Sequence, residues 1–250
     1  MKQFDRITNA TSNINSKAIY NEGLRQYFLK VYALMSTGLA ITALAAFSVF
    51  SVPALTRIMF NVSSDGYFQG MTGVGTLVSF APLGISLYFA FGFNRINAEN
   101  AKVLFLTFAA LMGLSLASLG FVYTGTSITK TFLICSGMFG GMSLYGYSTQ
   151  KDLTSFGSFL SMGLLGLILA SVVNFWFRSP AIEFVTSTIG VFIFTGLIAY
   201  DTQRLKSLYF NGTGAQNSNK LSVMGALTLY LNFINLFVYL LRFLGDRRSN

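Results

Sequence analysis

Few side chains in this 250-residue sequence could do chemistry. Histidine is absent and Cys135 is the only cysteine. Histidine-ligated metals, Cys–His catalysis and internal disulfides therefore have no donors. Cys135 lies in an apolar run and reads as small buried filler. Serines are numerous, but no histidine and no paired lysine motif stands ready to activate them, and no Gly-rich phosphate loop follows a strand. The sequence therefore carries no catalytic residue and no resident cofactor. Asp201 is the informative acid. It ends the apolar stretch GVFIFTGLIAYD, three residues before Arg204. Asp152 follows Lys151 in a short polar gap and reads as solvated.

A second polar feature lies in LTLYLNFINLFVYLLRFL. Asn232, Asn235, Tyr239 and Arg242 recur at steps of three, four and three, which puts them on one face of a helix. A buried amide without a partner costs about 1–3 kcal/mol. Two readings stay open for each feature. Asp201 is either a helix-end acid paired with Arg204 at i,i+3 or an acid held inside a bundle. Each Asn is either glue between helices or a member of a polar path, with Asp201 as one hydrogen-bond partner.

These residues are carried by elements that belong in lipid. The chain is 53% hydrophobic and only 10% charged, against about 25% charge in soluble domains. Its mean hydropathy is +0.58. Seven apolar runs fall at about 29–51, 72–93, 102–123, 128–148, 156–177, 184–203 and 222–244. Each meets the roughly 20 residues that cross about 30 Å of hydrocarbon at 1.5 Å per residue. The expected architecture is an all-α membrane protein, a seven-helix transmembrane bundle over 29–245. A polar tail (1–28) precedes it and a short basic tail (246–250) follows. Two connections are longer: about 52–71, with Pro53, Arg57 and the polar stretch NVSSDG, and about 205–221, a Gly, Asn and Ser loop with little reason to fold alone. Short gaps elsewhere force antiparallel neighbours.

The net charge of +9 is not a nucleic-acid footprint, because Lys and Arg are scattered over alternate gaps instead of forming a patch. With the N-terminus cytoplasmic, eleven Lys and Arg collect inside, among them Arg95, Arg204 and Lys206, against Arg57, Lys130 and Arg178 outside. The first 25 residues hold no apolar signal-peptide core. The tail disagrees with this bias, since Arg242, Arg247 and Arg248 fall outside after seven crossings. Either the last crossing tolerates them or one run is re-entrant.

Small residues in the middle runs read as faces for close helix packing. They include Gly113, Gly137, Gly140, Gly141, Gly146, Gly157, Gly163 and Gly166, with Gly137 and Gly141 one small-xxx-small step apart. Met and Phe at helical spacing read as core filler.

Four segments carry a family resemblance: FGFNRINAENAKVLFLTFAALMGLSLAS at 91–118, TFLICSGMFGGMSLYGYSTQKDLTSFGSFLSMGLLGLILASVVNFW at 131–176, GLIAYDTQRLK at 196–206 and ALTLYLNFINLFVYLLRFLG at 226–245. The chain resembles the Bax inhibitor-1 family, also called the transmembrane Bax inhibitor motif family, in its bacterial branch. The resemblance implies a seven-helix bundle with the last helix central and a pH-sensitive calcium leak. In some bacterial members it implies instead the restraint of a membrane AAA protease. In the calcium-leak members two aspartates on helices six and seven share a proton and sense pH, latched by an arginine on helix two. Asp201 matches the first aspartate, Asn232 stands where the second is expected, and Arg95 is the candidate for the arginine.

That departure has a consequence. Two close carboxylates cannot both ionise; with an amide in one place the repulsion vanishes, and a weaker or displaced pH response is expected. Calcium prefers several anionic oxygens. Asp201 with Asn232, Tyr200 or backbone oxygens would make only a weak, transient calcium site, and a leak needs weak sites. Two functions remain: a passive cation leak sensitive to Asp201, and a non-transporting regulator of a membrane protease or another complex. Lipid is the expected surroundings, a bacterial cytoplasmic (inner) membrane the location, and a monomer or weak oligomer the state.

Overall fold

The computed structural model describes residues 2–63, 68–92, 95–209 and 218–248, with side chains from residue 22 onward except Ser218. Its elements, in chain order, are α1 (Lys2–Ser51), α2 (Pro53–Met59), β1 (Phe60–Val62), β2 (Phe68–Met71), α3 (Gly73–Gly92), α4 (Ala98–Leu116), α5 (Leu119–Val122), α6 (Gly125–Ser148), α7 (Thr154–Phe177), α8 (Pro180–Leu208) and α9 (Ser218–Leu244). The boundaries follow local chemistry. Asn97 caps α4 by accepting from the Asn100 N–H at 2.8 Å, and Thr124 caps α6 through the Ser127 N–H. Pro180 opens α8 where its missing N–H costs nothing. α7 closes on Arg178 in the left-handed region (φ 49°), where Asn174 accepts from the Ser179 N–H. The exposed Asp152 accepts from the backbone and hydroxyl of Thr154 at the start of α7. Those bonds favour the anion and hold its carboxyl below the ordinary range.

Among the described residues, six helices are long and apolar enough to cross a membrane: Glu22–Ser51, Gly73–Gly92, Ala98–Val122, Thr154–Phe177, Pro180–Leu208 and Asn219–Leu244. The chain is a mostly helical integral membrane protein. Of the seven expected runs, the fourth is the exception. α6 has the length, at 24 residues, but its Gly, Ser and Thr content makes it less apolar.

The 52–71 connection holds α2 and a two-stranded antiparallel sheet with Phe60 opposite Met71. Phe60 and Phe68 pack on Phe121 at ring-centroid distances of 5.1 Å each. The 205–221 connection, expected as a loop, is narrower than that, because α8 runs on to Leu208 and α9 starts at Ser218; residues 210–217 and the last two residues of the basic tail lie outside the described residues, as do the side chains of residues 1–21 from the N-terminal tail.

α8 packs on α6, α7 and α9, and α9 packs further on α1, α4 and α6. The α9 span is 67% buried; no other span exceeds 44%. A helix apolar all round is covered by other helices or by lipid, and α9 is the span covered most by protein. Phenylalanine divides between inside and outside. Phe105, Phe108 and Phe233 are buried, whereas Phe91, Phe175, Phe177 and Phe192 are among the most exposed side chains. The expectation that Phe is core filler thus holds only in part, because lipid is as good a solvent for Phe as the interior is.

Glycines divide the same way. A methyl group at Gly113 would overlap the backbone of Thr42 on α1, and one at Gly146 the Ala199 carbonyl on α8. Gly137, Gly140, Gly141 and Gly166 face open space. The Gly137/Gly141 step is therefore not a helix contact within this chain. The buried face of α6 runs Ser127, Thr131, Cys135, Phe139, Ser143 and Gly146, and the step falls off it. Gly146→Leu should lower unfolding stability in detergent by about 3 kcal/mol, the upper end for overpacking because backbone must move. Gly141→Leu, with free space beside it, should change it by less than about 0.5 kcal/mol.

The chain end packs back on the bundle. Asp246 N–H donates to Ser127 Oγ at 2.8 Å, and Arg248 N–H donates to the Val122 carbonyl at 2.9 Å. Arg247 pairs with Glu183 at 2.9 Å. These contacts sit at the starts of α6 and α8. Lys206 donates to the Tyr147 carbonyl at the far ends of those helices. α9 therefore runs the length of the bundle. The charge of Arg247 is met by Glu183.

Candidate functional site

α8 presents a buried face that includes Gly190, Phe194, Ile198, Asp201 and Leu205. Asp201 is only 8% exposed, and Asn232 of α9 is 6% exposed. The Asn232 amide donates to the Asp201 carboxylate at 2.8 Å (Nδ2 to Oδ2). Arg204 is exposed, and among the described residues no ion pair joins it to Asp201, so the i,i+3 reading is not the one the structure adopts. The acid is held by a neutral amide from the neighbouring helix. This is a costly arrangement inside a membrane bundle, where an acid is tolerated only with partners or water.

The other members of the polar line separate. Asn235 turns its amide back to the Leu231 carbonyl at 2.9 Å. Tyr239 stacks on Phe194 at 5.6 Å and lies against Gly190. Arg242 is exposed, with its guanidinium 5.7 Å from the Tyr239 ring. One helical face thus carries a buried pair at Asn232, a self-satisfied amide, an aromatic stack and a cation over a ring, without a continuous hydrogen-bonded track. Arg95 is exposed, past the end of α3. Among the described residues no ion pair links it to Asp201, so the expected latch is not closed here.

Other polar contacts were not expected. Tyr32 of α1 is hydrogen-bonded to Ser143 of α6. Ser143 lies 3.2 Å from the Thr202 hydroxyl, and Thr202 donates to the Ile198 carbonyl at 2.7 Å. Thr42 and Tyr230 share a hydrogen bond of 2.6 Å in the core. The Thr42 hydrogen is directed at the Gly38 and Ala109 carbonyls, both at 2.9 Å, so Tyr230 is the donor. At the mouth of the bundle Gln203 clamps the α6–α7 connection, accepting from the Leu153 N–H and donating to the Lys151 carbonyl. Single Ser, Thr and Gln residues on helices gave no sign of these roles, because their contacts are set by partners far away in the chain.

An acid on one late helix bonded to an amide on the last is the arrangement that the GLIAYDTQRLK and ALTLYLNFINLF segments bring together. A family model described as inhibitor of apoptosis-promoting Bax1 matches residues 24–249. The chain belongs to the Bax inhibitor-1 family. Similar proteins span nearly its whole length. A Rickettsia prowazekii protein is 51% identical over 242 residues, covering 97% of this chain and 98% of the relative. A Caulobacter vibrioides protein is 45% identical over 228 residues, 91% of each. The inner membrane protein YbhL of Escherichia coli K12 is 40% identical over 246 residues, covering 98% of this chain and all of YbhL. Asn232 brings a hydrogen-bond donor where the resemblance implies a second carboxylate. Asp201 and Asn232 together offer one anionic group and one amide oxygen, a sparse set for a hard cation.

Proposed function

We propose that this Bax inhibitor-1 family protein is a passive calcium leak whose path passes Asp201, with a pH response weakened by Asn232. One observation carries the reading: Asp201 is buried among membrane-spanning helices with an amide partner and no ion pair among the described residues. A buried acid whose hydrogen-bond partner is a neutral amide attracts a cation. A site of one carboxylate and one amide binds weakly enough to let the ion leave. The reading includes seven crossings, with α6 as the fourth and α9 central. It also places the N-terminus in the cytoplasm and the bundle in a bacterial inner membrane. Purified chain in proteoliposomes is expected to pass calcium above the rate of empty liposomes with no other protein present.

The amide at 232 also favours a second reading, a regulator that binds and restrains a membrane AAA protease. It predicts no flux above empty liposomes and a protease that co-purifies in fixed ratio. A chain that passes calcium alone and carries no protease off a mild-detergent column excludes it.

A further inference from the structure

A cleft of about 470 Å³ opens on the flank of the bundle between α1 and α6. It is lined by the exposed Arg25, by Phe28, Phe139 and Gly140, by the partly exposed Tyr32 and by the buried Ser143. From Arg25 to Tyr32 is seven residues, about 10 Å along the helix. The two helices are joined here by the Tyr32–Ser143 hydrogen bond and by an edge-on contact of Phe28 with Tyr147 at 5.0 Å.

The direction of the hydrogen bonds can be assigned. Thr202 donates to the Ile198 carbonyl, so in the Ser143–Thr202 contact Ser143 is the donor. Ser143 has then spent its only hydrogen, and Tyr32 must donate to it. Every hydrogen in the row points inward, and the row ends at Thr202, one residue along α8 from Asp201. Ser143 and Thr202 are buried, while Tyr32 is partly exposed. The row is thus a chain of hydroxyls reaching from the cleft to Thr202 on α8, the buried residue next to Asp201 in the chain.

We propose that the flank cleft is a lateral access route for water and cations to the Asp201 region and that the Tyr32–Ser143 hydrogen bond is its door. The proposal rests on the reading of Asp201 as part of a cation path, but the door can be tested without flux. When Tyr32 swings away, the Ser143 and Thr202 oxygens are left to face water in the cleft and can replace part of a cation's hydration shell. With the door shut, the apolar walls keep water out.

The test is the rate at which a small cationic methanethiosulfonate reagent modifies Thr202→Cys in the full chain in proteoliposomes. Cys135→Ala removes the buried native thiol. With Tyr32 in place the thiol should react slowly. Tyr32→Phe should speed it about tenfold, the scale of one lost buried hydrogen bond, and Tyr32→Ala should speed it further. Adding Gly140→Leu, where a side chain has free space, should plug the cleft and restore slow labelling. Protection by Gly140→Leu separates a lateral door from general loosening of the fold. Equal rates with and without Tyr32, or fast labelling that Gly140→Leu leaves unchanged, would overturn the proposal. Calcium flux in the same vesicles reads the leak separately. A working door in a chain that passes no calcium would overturn the leak and leave the door standing.

Discussion

Asn232→Asp is expected to make both the stability and the calcium flux of this protein depend on pH, with stability falling as pH rises. The donor of Asn232 lies 2.8 Å from the Asp201 carboxylate. A carboxyl group in that place keeps the contact only while one proton is shared between the two acids. At pH 6 the shared proton preserves the bond. As pH rises the proton leaves, two anions face each other in a buried site, and the bond becomes a repulsion. The stabilising contribution is therefore present at acid pH and lost on the alkaline side. A loss of about 2–4 kcal/mol is the scale for a buried charge left without compensation. Unfolding in detergent should show the variant falling below the native chain at pH 8 and close to it at pH 6. Flux through the variant should rise over the same interval as α8 and α9 part. A variant that tracks the native chain at both pH values would mean that the two side chains do not meet.

Asn232→Leu should be among the most destabilising single substitutions in α9. Leucine shares the branching and heavy-atom count of asparagine but is bulkier, so some overpacking at this buried position adds to the main loss, in which the Asp201 carboxylate is left without the amide that satisfies it. Breaking one partner of a buried polar pair costs about 3 kcal/mol or more when the survivor is charged. Replacing both partners, as Asp201→Leu with Asn232→Leu, should recover most of that loss. The double-mutant cycle should give a coupling well above the roughly 0.5 kcal/mol found between independent sites. Additive losses would show that Asp201 is satisfied by something other than Asn232.

Much of this was legible in the sequence because lipid imposes a simple rule. A helix must be long and apolar to span, and any acid left in such a helix is conspicuous. Asp201 and Asn232 could be found that way, and their pairing was one of the readings left open. What local rules predicted less well was the partner. Arg204 satisfies the i,i+3 spacing but sits on the exposed side of α8, whereas Asn232, 31 residues away, faces the acid across the helix contact. Tyr32, Ser143 and Thr202 were invisible for a related reason. Serines and threonines such as Thr37, Ser136 and Ser148 bond their own helix, and nothing local marks the few that bond across it. The glycine stripe misled because composition does not say which face is buried. Gly146 lies on the buried face of α6 and Gly137 does not. The β1–β2 pair went unread because three- and four-residue strands are too short to show a period.

Calcium entry into proteoliposomes holding Asp201→Asn, run beside the native chain at pH 6 and pH 8, tests the central claim most directly. The variant, an amide facing an amide with no charge to draw the ion, should pass calcium at least about tenfold more slowly at both pH values, the scale expected when a site loses its one formal charge. Flux equal to that of the native chain at both pH values would place the ion's route elsewhere.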